Sequence, residues 1–117
     1  MEQINSKQDL INYFEKGCKK ENQLRIGVEH EKFIFDNLTN QRANFEAISK
    51  VFNFLEQFGW KPIKERDYVI GLSKEGQSIT LEPGNQIELS GKKLNSVHFS
   101  CNESYKYLDE LGKACKK

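Results

Sequence analysis

The stretch Leu24–Phe35, LRIGVEHEKFIF, sets two carboxylates two positions apart inside a strand-like apolar run. In an extended chain successive side chains point to opposite faces, so Gly27, Glu29, Glu31 and Phe33 share one face and Ile26, Val28, His30 and Ile34 the other. Carboxylates at that spacing lie roughly 6 to 7 Å apart and repel by about 2 to 3 kcal/mol at an effective dielectric near 20. A facing cation relieves the repulsion, and a hard divalent ion such as Mg²⁺, which takes carboxylate oxygens and bridges phosphates, suits the pair. The plain alternative is a solvated outer face of an edge strand.

Around this stretch the chain of 117 residues has the length of one domain with a real core. Its 18 basic and 17 acidic residues nearly cancel, so no global field favours nucleic acid or an anionic membrane. Three cysteines, Cys18, Cys101 and Cys115, are an odd number without a CxxC pair, which argues against a disulfide framework and a structural zinc site. The polar start MEQINSKQDL lacks the apolar core of a signal peptide, and no apolar run is long enough to span a membrane. The expectation is a soluble cytoplasmic protein.

Upstream, Ser6 followed by Asp9 reads as a helix cap, and Leu10, Ile11, Phe14 and Cys18 recur at helical spacing, predicting a helix over about 7–19 with Cys18 buried. Downstream, residues 36–40 are turn chemistry. Asn44 caps a second helix whose Phe45, Ile48, Phe52 and Leu55 form one stripe, ended by Gly59. Four short extended segments follow, at 60–64, 68–73, 78–82 and 86–90, separated by turns at Lys74–Gly76 and Pro83–Asn85, and predict an antiparallel meander. The last 24 residues read as helix, with Leu94, Val97, Cys101, Leu108, Leu111 and Cys115 as its apolar stripe. The fold class is α+β, an antiparallel sheet with helices covering one face.

Within SITLEPGNQIELSG, alternation places Thr80 and Glu82 opposite in sense to Ile79 and Leu81, and Gln86 and Glu88 opposite to Ile87 and Leu89. An antiparallel pair would gather Glu82, Gln86 and Glu88 on one polar surface. If the 29–33 segment joins the same sheet, Glu29 and Glu31 face the same way, and four acids on one face call for cations. His30 and Lys32 lie on the other face, where a structural hydrogen bond or helix contact is the simpler role. Arg25 shares the acidic face at the strand start, placed for a carboxylate or a substrate phosphate, with a surface ion pair as the plainer reading.

GVEHEKFIF at 27–35, IGL at 70–72 and ITLEPGNQIELSG at 79–91 closely resemble the N-terminal part of glutamate-cysteine ligase of the plant and proteobacterial type, with the order and spacing of the intervening segments matching. The resemblance implies a glutamine synthetase-like carboxylate-amine ligase, with a curved antiparallel sheet carrying the active site on its concave face. It implies a reaction in which ATP phosphorylates the γ-carboxylate of glutamate and the amine of cysteine displaces phosphate, giving γ-glutamylcysteine for glutathione synthesis. Glu29 and Glu31 become metal-ligand candidates for Mg²⁺, Glu82 and Glu88 follow, and Gln86 and Arg25 become substrate-binding candidates. Cys101 resembles a cysteine involved in redox control in plant-type members, although a buried apolar role is the default.

Family members are much longer, so residues 1–117 are expected to form an incomplete N-terminal portion of the catalytic domain, inactive alone. The alternatives are a stand-alone Mg²⁺- and glutamate-binding module, or a structural subunit whose sheet a second polypeptide completes.

Overall fold

The computed structural model describes residues 3–116. Its centre is a five-stranded antiparallel sheet: β1 (Glu29–Phe33), β2 (Lys61–Glu65), β3 (Tyr68–Lys74), β4 (Gln77–Glu82) and β5 (Gln86–Ser90), in spatial order β1-β5-β4-β3-β2. The chain from β2 to β5 is the meander that the turn signals predict. Glu75 and Gly76 both hold positive φ at the β3–β4 turn, the geometry that matches the twist of two tightly joined strands. Between β4 and β5 the PGN turn puts Gly84 and Asn85 at positive φ. β1, remote in sequence, adds to the outer side of β5.

Three helices complete the chain: α1 (Lys7–Gly17), α2 (Phe45–Leu55) and α3 (Val97–Ala114). The caps are as expected. Ser6 Oγ accepts from the Asp9 amide at 3.1 Å and Asn44 Oδ1 from the Ala47 amide at 2.9 Å, and Gly59 closes the turn after α2 at φ 87°. Ile48, Val51, Phe52 and Leu55 of α2 pack with Leu72, Ile79, Ile87 and Leu89 from one sheet face and Tyr107, Leu111 and Ala114 from α3. Burying a side chain of this size contributes about 1.5 to 3 kcal/mol.

Three expectations are corrected. The continuous strand at the opening stretch covers only 29–33. Ile26 and Phe35 instead make isolated bridges to Leu94 and Arg42. The buried line of α3 runs through Ser100, Tyr107, Glu110, Leu111 and Ala114, whereas Val97, Cys101, Leu108 and Cys115 are exposed. Glu110 can lie on that buried line because Trp60 and Lys74 pair with it. Cys18 is exposed as well, because α1 buries none of its residues. With Leu10, Tyr13 and Phe14 exposed on α1, the chain extends over 58 × 35 × 25 Å, and its 18.1 Å radius of gyration exceeds the roughly 13 Å of a compact chain this long.

Candidate functional site

Strand register sorts the side chains into rows. Residues directly opposite across a pair share a face, so Glu29, Ser90, Ser78 and Ser73 form one row, and Glu31, Glu88, Thr80 and Gly71 the next. Phe33, Gln86 and Glu82 form a third. All four candidate acids and Gln86 therefore stand on the face away from α2 and α3. On the opposite row Leu89, Ile79 and Leu72 enter the core and His30 is half-buried at its edge. His30 Nε2 meets Ser104 Oγ of α3 at 3.3 Å, the helix contact expected for it.

Glu31 and Glu88 are directly opposed, which puts their Cβ atoms roughly 4.5 to 5.5 Å apart, and like charges in that position repel. Hydrogen bonds orient three of the four acids. Gln86 Nε2 donates to Glu31 Oε2 at 2.5 Å, Ser90 Oγ to Glu88 Oε1 at 3.1 Å, and Thr80 Oγ1 to Glu82 Oε1 at 2.9 Å. Among the described residues none of the four acids makes an ion pair with a basic side chain. Glu29 lies opposite Ser90, two positions from Glu31.

Carboxylate oxygens on rigid strands, aligned by amide and hydroxyl donors and without a basic partner among the described residues, are the kind of ligand a hard divalent cation takes. Among the described residues no group of three or more His, Cys, Asp or Glu side chains is placed to hold a metal ion, so at most two of these acids could share one. Mg²⁺ suits such an arrangement, since it keeps waters and takes one or two carboxylates together with substrate phosphates. Glu31 and Glu88 are the pair brought closest by register, with Glu29 and Glu82 flanking them.

Arg25 stands apart from these rows. It precedes β1, and its Nη1 donates to the carbonyls of Asn22 and Leu24 at 3.0 and 2.7 Å. A cation that sequence reading missed is Arg42, whose guanidinium lies 4.8 Å from the centroid of the Phe33 ring, at the end of the acidic face. It gets there because Asp36 Oδ1 accepts from the amides of Leu38 and Thr39 and from the Thr39 hydroxyl, reversing the chain so that Arg42 pairs with Phe35. Those hydrogen bonds, chiefly from Thr39, hold the Asp36 carboxyl below its ordinary pKa. The spacing Asp36–Thr39 was the available signal for this reversal.

Comparison with known proteins places the sequence in a family. Residues 25–117 match the model of glutamate-cysteine ligase family 2 (GCS2). The chain is 45% identical over 107 residues to the chloroplastic glutamate-cysteine ligase of Medicago truncatula, covering 91% of this chain and 21% of that protein. It is 43% identical over the same length to that of Nicotiana tabacum, with 91% and 20% covered, and 44% identical to glutamate-cysteine ligase A of Oryza sativa subsp. japonica, with 91% and 22% covered. The chain thus spans about a fifth of the length of these curated relatives. Since the family match covers residues 25–117, most of the sequence, the chain belongs to glutamate-cysteine ligase family 2.

Proposed function

We propose that residues 1–117 are the N-terminal portion of a glutamate-cysteine ligase catalytic domain, and that the polar sheet face supplies part of the site where ATP activates the γ-carboxylate of glutamate for attack by the amine of cysteine. The observation that carries this reading is the opposed Glu31–Glu88 pair, flanked by Glu29 and Glu82 and lacking ion-pair partners among the described residues. A carboxylate attacking a polyphosphate gathers several negative charges, so the reaction depends on positioning and charge neutralisation. These acids would hold Mg²⁺, which when bound would supply that neutralisation. Gln86 holds Glu31 in place, Ser90 and Thr80 hold Glu88 and Glu82, and the strands keep the spacing fixed. Arg42, at the end of the same face, is placed to meet a phosphate or carboxylate oxygen.

The test is titration of the chain with Mn²⁺ as a paramagnetic stand-in for Mg²⁺. Broadening of the amide signals of residues 29–31 and 86–90, lost in the Glu31→Gln and Glu88→Gln double variant, is the expected result. Absence of broadening there would overturn the site. The isolated chain should release no ADP in response to glutamate and cysteine, because about four fifths of its relatives' length lies outside it. Tight, saturable binding of Mg²⁺, glutamate and ATP by the isolated chain would instead identify a stand-alone module.

A further inference from the structure

Much of the stripe that periodicity marks as apolar on α3 faces outward. At about 100° per residue Val97, Cys101, Tyr105, Leu108, Gly112 and Cys115 fall within an arc of about 80°, and no charged residue of α3 shares it. Val97 is 56% exposed, Tyr105 74% and Leu108 39%, and both cysteines are exposed. The buried line through Ser100, Tyr107 and Ala114 lies on a different side of the helix. A surface helix needs one apolar face, and a helix with two is one packed on both sides.

Gly112 gives a second, independent sign. It lies inside α3, ahead of the C-cap Cys115, and holds no positive φ. A Cβ added there would meet no atom within 4 Å. Glycine is the poorest helix former after proline, so the fold of this chain alone favours alanine at that position. A missing side chain inside an apolar stripe lets a neighbouring backbone come close.

The size of the stripe limits its occupant. With 18 residues α3 is about 27 Å long, and a strip about 10 Å wide along it offers roughly 270 Å². Each partner of a stable complex gives about 800 Å², so a second copy docked here alone would not hold. A segment of the same polypeptide needs far less contact, since it loses little free motion on docking. About four fifths of the length of the curated relatives lies outside this chain. We propose that the outer face of α3 is an internal seam of the ligase, on which the remainder of the catalytic domain packs an apolar helix, its backbone closest at Gly112; this rests on the reading of residues 1–117 as part of that domain.

The test is a hybrid in which this chain replaces the segment it matches in the chloroplastic relative to which it is 45% identical. Hydroxyl-radical labelling read by mass spectrometry should mark Tyr105 and Leu108 about tenfold less in the hybrid than in the isolated chain, as at the water-excluded core of an interface. Equal labelling would overturn the proposal. Tyr105→Lys, at an exposed position, should leave the unfolding midpoint of the isolated chain unchanged and lower that of the hybrid. A hybrid that keeps its midpoint would place nothing on the stripe. Gly112→Ala should raise the midpoint of the isolated chain through helix propensity and lower that of the hybrid. A fall in the isolated chain would tie the glycine to the chain's own fold and refute the seam whether or not the hybrid folds. Labelling of Tyr105 that drops as the isolated chain is concentrated would assign the stripe to a second copy, which refutes it too. Ligase activity is read separately. A hybrid with Tyr105 shielded and no activity keeps the seam and counts against the acidic face as the reaction site, whereas an active hybrid with Tyr105 open does the reverse.

Discussion

Gln86 and Glu31 lie diagonally across the β1–β5 pair, and the Gln86 amide donates to one oxygen of the Glu31 carboxylate, while the other meets no donor among the described residues. Gln86 thus acts as a positioning residue for an acid that register sets opposite Glu88. Removing such an outer partner lowers metal affinity by about tenfold, less than removing the ligand itself. Mn²⁺ affinity should therefore fall most in Glu31→Gln and Glu88→Gln, less in Gln86→Ala and least in Ser90→Ala. A Gln86→Ala variant that binds as tightly as the parent would show that the amide plays no such part.

Glu110 satisfies two donors that are fixed in sequence 50 and 36 residues away, Trp60 and Lys74. Glu110→Ala strands a largely buried ammonium and an indole N–H, and breaking a buried pair in this way costs about 3 to 5 kcal/mol. Urea unfolding followed by circular dichroism should show a loss of that size. A loss under 1 kcal/mol, on the order of an exposed pair, would mean that Lys74 finds water or another acceptor.

Tyr107 presents the opposite case. Its hydroxyl is buried without a hydrogen-bond partner among the described residues, and burial, reinforced by the neighbouring Cys115, pushes its ionisation well above the usual phenol range. An unpaired buried hydroxyl carries a desolvation penalty of about 1 to 3 kcal/mol. Tyr107→Phe keeps the ring and removes the penalty, so its unfolding midpoint should equal or exceed that of the parent. A clear fall in midpoint would reveal an acceptor bound to that hydroxyl in solution.

Acid should loosen the turn that carries Arg42. The Asp36 carboxyl is held below its ordinary value of 3.8 by bonds made only in the folded turn, so its contribution is present above that value and is lost as pH falls through the lower, folded one. An NMR pH titration should give Asp36 a midpoint below 3.8, with the Leu38 and Thr39 amide shifts following it. In Thr39→Ala, which removes the hydroxyl bond and leaves the amide ones, the midpoint should move up. A midpoint at or above 3.8 in the parent would show the turn to be open in solution.

The strands and the shared acidic face were legible because a period of two leaves no freedom: Ile79, Leu81, Ile87 and Leu89 on one side oblige Glu82, Gln86 and Glu88 to the other. The face of α3 was not legible for the converse reason. Ser100 and Glu110 read as solvent residues, and only pairing with distant Trp60 and Lys74 makes burial of Glu110 tolerable. Local periodicity carries no information about such partners. Cys18 failed differently, since a helical stripe predicts a buried face only where another element covers it, and α1 packs its stripe against nothing in the described residues. Arg42 escaped notice because its placement depends on a chain reversal rather than on its neighbours in sequence.

Each acid of β5 and β4 sits one peptide away from a side chain in or against the core: Glu88 lies between the buried Ile87 and Leu89, and Glu82 follows Leu81, which packs against the core. A substitution that swells or shrinks the hydrophobic side, such as Ile87→Val, therefore shifts the spacing of charged groups it never touches. In a lineage of such proteins, drift in the greasy interior becomes a means of retuning the distances between carboxylates while each of them stays in place.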